Sequence, residues 1–147
     1  MKGKFITFEG ADGGGKSTQV QLAAEWLRKQ GYEVVTTREP GGTVLAEKVR
    51  ELVLDPALPL NTTSQTLLYL AARSEHVEKV IRPALDAGKV VLCDRFSDST
   101  LVYQGLSLGK GLAELTVLRQ LCSFATAGLE PDLTLVLDGR PEELAKR

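Results

Sequence analysis

The sequence predicts an α/β fold: a parallel sheet between two layers of helices. Three observations predict it. Short β-branched or aromatic runs alternate with longer segments of helical period. The run KVVLCD is almost wholly apolar, as a strand covered on both faces must be. The connections are short, and no repeat, low-complexity tract or linker divides the 147 residues, so a single domain over 1–147 is expected.

The elements follow in order. KFITFE (4–9) is a strand that stops at Gly10. A helix runs from Lys16 to about Gln30 with Val20, Ala23, Ala24 and Leu27 on one face, and Gly31 is its C-terminal stop. EVVTT (33–37) is the second strand. A helix over 44–54 ends at Asp55-Pro56. Residues 62–87 read as one long helix capped by Thr62 or Thr63, with Leu67, Leu70, Ser74, Val77, Ile81 and Leu85 as its core stripe and Pro83 as the place for a bend. KVVLCD (89–94) is the third strand, helices follow near 97–105 and 111–127, and DLTLVLD (132–138) is the fourth strand.

Bulk properties exclude several classes of function. The net charge of −1 argues against a partner held by long-range electrostatics, whether nucleic acid or an anionic membrane surface. Cys93, Cys122 and the single His76 lack the paired spacing of a zinc site, and both thiols are expected to be buried. MKGKFITFEG is too short in its apolar part to be a signal peptide or a span, so a cytoplasmic setting is expected.

The chemistry begins at FEGADGGGKSTQ. Gly10, Ala11, Asp12, Gly13, Gly14, Gly15, Lys16, Ser17 and Thr18 fit G-x-x-x-x-G-K-[ST] between a strand and a helix, the setting this P-loop requires. The glycines let backbone N–H groups approach phosphate oxygens, and the helix N-terminus adds partial positive charge. Lys16 is placed to bridge β- and γ-phosphates and Ser17 to bind Mg²⁺, so a nucleoside triphosphate with magnesium is the expected ligand. Asp94, at the end of VVLCD, is the second acid such a metal needs; it also fits a cap for the following helix, and the two roles are compatible.

Three classes of P-loop protein can be separated by motif. Asn-Lys-x-Asp is absent, Asn61 being followed by Thr62, which argues against a GTPase. No Leu-Ser-Gly-Gly-Gln-like signature points to a transport ATPase. A small-molecule kinase needs a second, arginine-lined pocket for its acceptor, and Arg38, Arg50, Arg73 and Arg95 stand near strand ends or on the helices behind them. Tyr69 and Arg73, four apart on a helix, suit either a stacking ring with a base-reading fork or plain surface packing.

FEGADGGGKSTQ, TREPGGT, AARSEHVEKVIRPAL and LCDRFSDSTLVYQG, in this order, resemble bacterial thymidylate kinases over essentially the whole chain. The resemblance implies a P-loop NTPase fold of three α/β/α layers with strand order 2-3-1-4-5, and transfer of the γ-phosphoryl of ATP to dTMP by a homodimer. It gives Lys16, Arg95 and Asp12 to catalysis and Ser17 and Asp94 to the metal. Arg95 and Arg50 would hold the acceptor phosphate. Tyr69 would stack on thymine, where the family often has phenylalanine, and Arg73 would hydrogen-bond a thymine carbonyl. Ser99, Thr100 and Gln104 would line the base edge, and Tyr103 would crowd the sugar 2′ position. Glu39 and Arg38 would shape the loop between the acceptor and the transferred group. Asp12 would turn toward the sugar 3′-hydroxyl; contact with the metal's waters and a purely loop-stabilising role are the other readings.

The resemblance also implies an arginine-bearing lid and a fifth strand. The chain stops at PEELAKR, so both are expected to lie outside it, and neither Lys146 nor Arg147 is assigned to the lid. A kinase for another nucleoside monophosphate, and a nucleotide-binding chain without catalysis, are the rival expectations.

Overall fold

A computed structural model describes residues 2–139 and Glu142; Lys146 and Arg147 lie outside the described residues. Its strands are β1 (Lys4–Gly10), β2 (Val34–Arg38), β3 (Val90–Asp94) and β4 (Leu133–Leu137), all parallel in the order β2-β3-β1-β4. These are the first four positions of the expected order. Helices α1 (Lys16–Lys29), α2 (Val44–Leu54), α3 (Thr62–His76), α4 (Arg82–Asp86), α5 (Ser97–Tyr103) and α6 (Leu112–Ala125) complete the described fold.

The period-two alternation of the strands divides the core between the two faces of the sheet. Phe5, Val91 and Cys93 pack on Val77, Ile81 and Phe96 on one side. Phe8, Val90 and Leu92 pack on Val20 and Ala24 of α1 on the other. The Phe5 and Phe96 rings meet edge to face, 4.9 Å apart at 89°, a favoured aromatic arrangement. Central β3 is buried from Val90 to Cys93, which accounts for its unbroken apolar run. Both cysteines are buried, as expected.

The long helical segment departs from its expected form in three ways. Asn61, not Thr62 or Thr63, caps α3, its side chain accepting the N–H of Ser64. Asparagine at this position has the extended backbone and the short acceptor that a cap requires. Between α3 and α4 the chain makes a π-helical turn, Val77–Ile81, in which the N–H of Arg82 reaches the carbonyl of Val77, five residues back. The widened turn comes just before Pro83, whose missing N–H and bulky ring already disturb the regular ladder. Finally, Leu67 and Ser74 are exposed, while Thr66, Arg73 and His76 are buried. The inward face of α3 is therefore partly polar, because it lines a site.

Register then sets the location of that site. Phe8, Arg38 and Asp94 stand side by side at the C-terminal ends of β1, β2 and β3. The loops leaving these strands converge at the edge where ligands of open parallel sheets bind.

Candidate active site

The turn after β1 is shaped by its glycines. Gly10 has φ 140°, and a Cβ there would lie 2.4 Å from the carbonyl oxygen of Leu137. Gly15, at φ 81°, makes the left-handed turn that opens α1. Lys16 Nζ donates to the carbonyls of Ala11 at 2.7 Å and Gly10 at 3.0 Å, and Gly14 N donates to Ala11 at 3.2 Å. Burial, and next the nearby Arg95 charge, hold the Lys16 ammonium below its ordinary pKa. Ser17 Oγ donates to Asp94 Oδ2 at 2.6 Å, which joins the two residues expected to serve a metal.

A cavity of about 450 Å³ opens over this turn, lined by Asp12, Gly13, Gly15, Lys16, Ser17, Thr18 and Asp94 together with Arg38, Glu39, Arg50 and Arg95. Gly10, Ala11 and Gly14 support it from behind and do not line it. A second cavity, of about 470 Å³, is walled by the loops after β1, β2 and β3 and by α2, α3 and α5. It brings together Asp12, Glu39, Arg50, Tyr69, Arg73, Arg95, Ser99, Thr100, Tyr103 and Gln104. Every residue expected to contact the acceptor is thus in one wall, while Arg38, also offered for that pocket, lines the first cavity instead. Pro40, Leu54, Gln65 and Phe96 line it too and were not expected there. For Gln65 a signal existed, since it lies one helical turn before Tyr69. Its amide oxygen accepts from Gln104 Nε2 at 3.3 Å.

The two cavities share Asp12, Glu39, Arg50 and Arg95. An acid inside an anion cradle is explained by its partner: Asp12, 91% exposed in its side chain, pairs with Arg95 Nη2 at 2.6 Å. Arg95 Nη1 donates to Ser99 Oγ at 3.0 Å, and its guanidinium lies 5.2 Å from the Tyr103 ring centre. Arg50 Nη1 reaches the Pro40 carbonyl at 3.2 Å, beyond a cis Glu39-Pro40 bond. Arg38 is exposed and pairs with Glu47, whose other oxygen accepts the N–H of Gly42. It lines the first cavity and braces the loop through Glu47.

Arg73 is a wall residue and not a surface partner of Tyr69. Only 4% exposed, it donates from Nε to Glu39 Oε2 at 2.6 Å, from Nη1 to Thr100 Oγ1 at 3.0 Å and from Nη2 to the Phe96 carbonyl at 3.0 Å. Burial opposes its charge, but the Glu39 carboxylate outweighs that and holds the Arg73 pKa up. Fully buried His76 shares the same carboxylate, with Nδ1 at 3.0 Å from Glu39 Oε1. A carboxylate can only accept, so Nδ1 carries the proton, and in the neutral ring Nε2 accepts the Thr37 hydroxyl at 2.7 Å. Nothing in the sequence pointed to His76 as part of this wall. Burial raises the Tyr69 phenol above its usual pKa, so it stays a neutral ring.

Comparison with known proteins agrees with this geometry. The family model for thymidylate kinase matches residues 8–147. The chain is 48% identical over 147 residues to a thymidylate kinase of Thermoanaerobacter sp. (strain X514), covering all of this chain and 71% of that one. It is 58% identical over 140 residues to one from Synechococcus sp. (strain JA-3-3Ab), covering 94% of this chain and 66% of that one. The solved thymidylate kinase of Ehrlichia chaffeensis superposes with a TM-score of 0.87 at 42% identity, over 99% of this chain and 82% of that one. Its P-loop, its arginine-walled second cavity and these likenesses together place the chain in the thymidylate kinase family.

Proposed function

We propose that this chain transfers the γ-phosphoryl group of ATP to the phosphate of dTMP, giving dTDP and ADP. The observation that carries this is the meeting of two cavities at Asp12, Glu39, Arg50 and Arg95. A donor phosphate held by the P-loop and an acceptor phosphate held by Arg95 and Arg50 would face each other across those four residues. The acceptor is already an oxyanion nucleophile, so the site has to position and neutralise, and needs no strong general base.

Lys16 would serve the transferred phosphoryl group and Arg95 the acceptor. Asp12, paired with Arg95, would orient that arginine and accept the sugar 3′-hydroxyl. Tyr69 would stack on thymine, Arg73, Thr100 and Gln104 would read its edge, and Tyr103 would press against the sugar. Ser17 and Asp94, a hydroxyl and a carboxylate side by side, fit Mg²⁺, which keeps most of its waters and takes few protein oxygens. When bound, the ion supplies charge neutralisation at the phosphates.

The reading extends to a cytoplasmic homodimer that binds neither nucleic acid nor membrane. It draws support from exposed apolar side chains on two packed helices, Leu67 of α3 and Val117, Leu121 and Phe124 of α6. No helix among the described residues is long and apolar enough to cross a membrane. The net charge of −1 gives no long-range attraction for a polyanion or an anionic membrane.

The test is product analysis with ATP, Mg²⁺ and dTMP, dUMP, dCMP, AMP or thymidine at equal concentration, beside thermal stabilisation by each acceptor. Formation of dTDP with dTMP preferred is expected. A better acceptor among the others would overturn the substrate assignment, and binding of both ligands without dTDP would overturn the catalytic one.

A further inference from the structure

Glu9, the last side chain of β1, is 6% exposed and lines neither cavity. Its two oxygens nevertheless take two different donors from the segment that carries Arg95. Oε1 accepts the backbone N–H of Phe96 at 2.8 Å, and Oε2 accepts the Ser99 hydroxyl at 2.6 Å. A serine has one proton to give. With that proton committed to Glu9, the Ser99 oxygen turns its lone pairs outward and accepts Arg95 Nη1 at 3.0 Å.

The backbone gives a second reason for this arrangement. Arg95 sits at φ 71°, a left-handed conformation that costs a residue with a Cβ and persists only where its surroundings hold it. β1 holds it on both sides: Arg95 N donates to the Phe8 carbonyl at 2.9 Å, and Phe96 N donates to Glu9. The turn directs the guanidinium back across the cavity to Asp12.

We propose that Glu9 is a positioning residue for the acceptor phosphate, acting through Ser99 to fix the guanidinium of Arg95. This rests on the reading of Arg95 as the phosphate holder. It follows that Glu9 governs affinity for the phosphate of the acceptor, and not for its base or for ATP. Ser99, expected at the base edge, belongs to this relay.

Glu9→Gln is the informative variant. The Phe96 N–H is fixed and holds the amide oxygen, so the amide NH₂ must face Ser99. Ser99 then accepts from it and turns its own proton away, toward the donor Arg95. Burial already holds the Glu9 carboxyl above the usual carboxylate range, so the neutral amide suits the site and the variant should fold. Ser99→Ala is the second variant, because it removes the relay and leaves the Glu9–Phe96 bond.

The experiment is calorimetric measurement of dTMP, thymidine and ATP binding to the wild-type chain, Glu9→Gln, Ser99→Ala, Arg95→Ala and Glu9→Gln/Arg95→Ala. Both single relay variants should weaken dTMP about tenfold, the worth of one charge-assisted hydrogen bond. Thymidine and ATP should change less than about twofold, and Glu9→Gln should add nothing once Arg95 is gone. Equal weakening of dTMP and thymidine by the relay variants, or full additivity with Arg95→Ala, would overturn the proposal. Arg95→Ala tests the reading beneath it. If that variant leaves the preference for dTMP over thymidine intact, the phosphate assignment itself fails, and the proposal with it. If Arg95→Ala abolishes the preference and the relay variants do not, the role of Glu9 alone is refuted.

Discussion

The P-loop and the proposed acceptor wall are neighbours built on opposite principles. Residues 10–18 form the cradle from one unbroken stretch, whose polar groups bond mainly to each other, as Lys16 does to Gly10 and Ala11. The acceptor wall is assembled from the loops after β1, β2 and β3 and from α2, α3 and α5, and it is backed by the buried Glu39–Arg73–His76 cluster. The cradle is therefore a local device that the fold carries. The wall is part of the core, so a change there alters recognition and stability together.

That contrast predicts its largest effect at Glu39. Glu39→Ala strands a buried guanidinium and a buried imidazole, and a loss of about 3–5 kcal/mol in folding stability is expected from denaturant unfolding. Lys16→Met, by comparison, should change stability by less than about 1 kcal/mol while weakening ATP binding. Similar destabilisation by both substitutions would erase the distinction between cradle and wall.

Phe96→Leu sharpens the comparison at a residue that belongs to both core and wall. The ring packs on Phe5 and lies 5.2 Å beneath the Arg73 guanidinium, while its N–H and carbonyl serve Glu9 and Arg73. Leucine keeps the backbone bonds and loses the ring contacts, so about 1–3 kcal/mol of stability should go. Weaker acceptor binding should accompany that loss, and unchanged dTMP affinity would show that the wall tolerates loosening.

At the cradle's own acid the expected stability effect is small. Asp12→Asn breaks an ion pair whose acid is almost fully exposed, so stability should move by less than about 0.5 kcal/mol. The measurable change should be a higher KM for dTMP. A large drop in melting temperature would mean that the loop depends on this pair.

The smallest effect is in the pH dependence of stability. Glu9 has its folded pKa raised by burial from 4.5, with the Ser99 and Phe96 bonds opposing the shift. Below 4.5 both states hold the proton and Glu9 contributes nothing. As pH rises from there through the raised folded value, the unfolded state releases its proton first, and stability falls. Glu47 has the opposite sign: the Gly42 N–H leads in holding its pKa below 4.5, so its contribution is present above that value and lost as pH falls. Melting temperatures of the wild type and Glu9→Gln across this range should converge toward acid and separate above it. Parallel curves would contradict the burial argument.

Much of the fold was legible because its signals are local. The glycine run with Lys16 and Ser17 announces a phosphate site in consecutive residues, and the apolar run of β3 announces a central strand. The pattern failed on α3. Hydropathy placed Leu67 and Ser74 inward, whereas Arg73 and His76 are buried, because their partner Glu39 lies 34 and 37 residues earlier in the chain. No periodicity reports a charge whose neutralising partner is that far away. The residues around the acceptor were named through family likeness; the helical spacing of Tyr69 and Arg73 alone left surface packing open, and burial of Arg73 against Glu39 excludes it.

By itself, then, the sequence determined the alternation of strands and helices and the phosphate cradle, since backbone preference, glycine conformation and hydrophobic period act between near neighbours. Only the tertiary structure decided the acceptor wall, the π turn before Pro83, the pairing of Asp12 with Arg95 and the hold of Glu9 on Ser99. Each depends on groups brought together by the sheet register, and a hydrogen bond or ion pair exists only where distance and burial allow it.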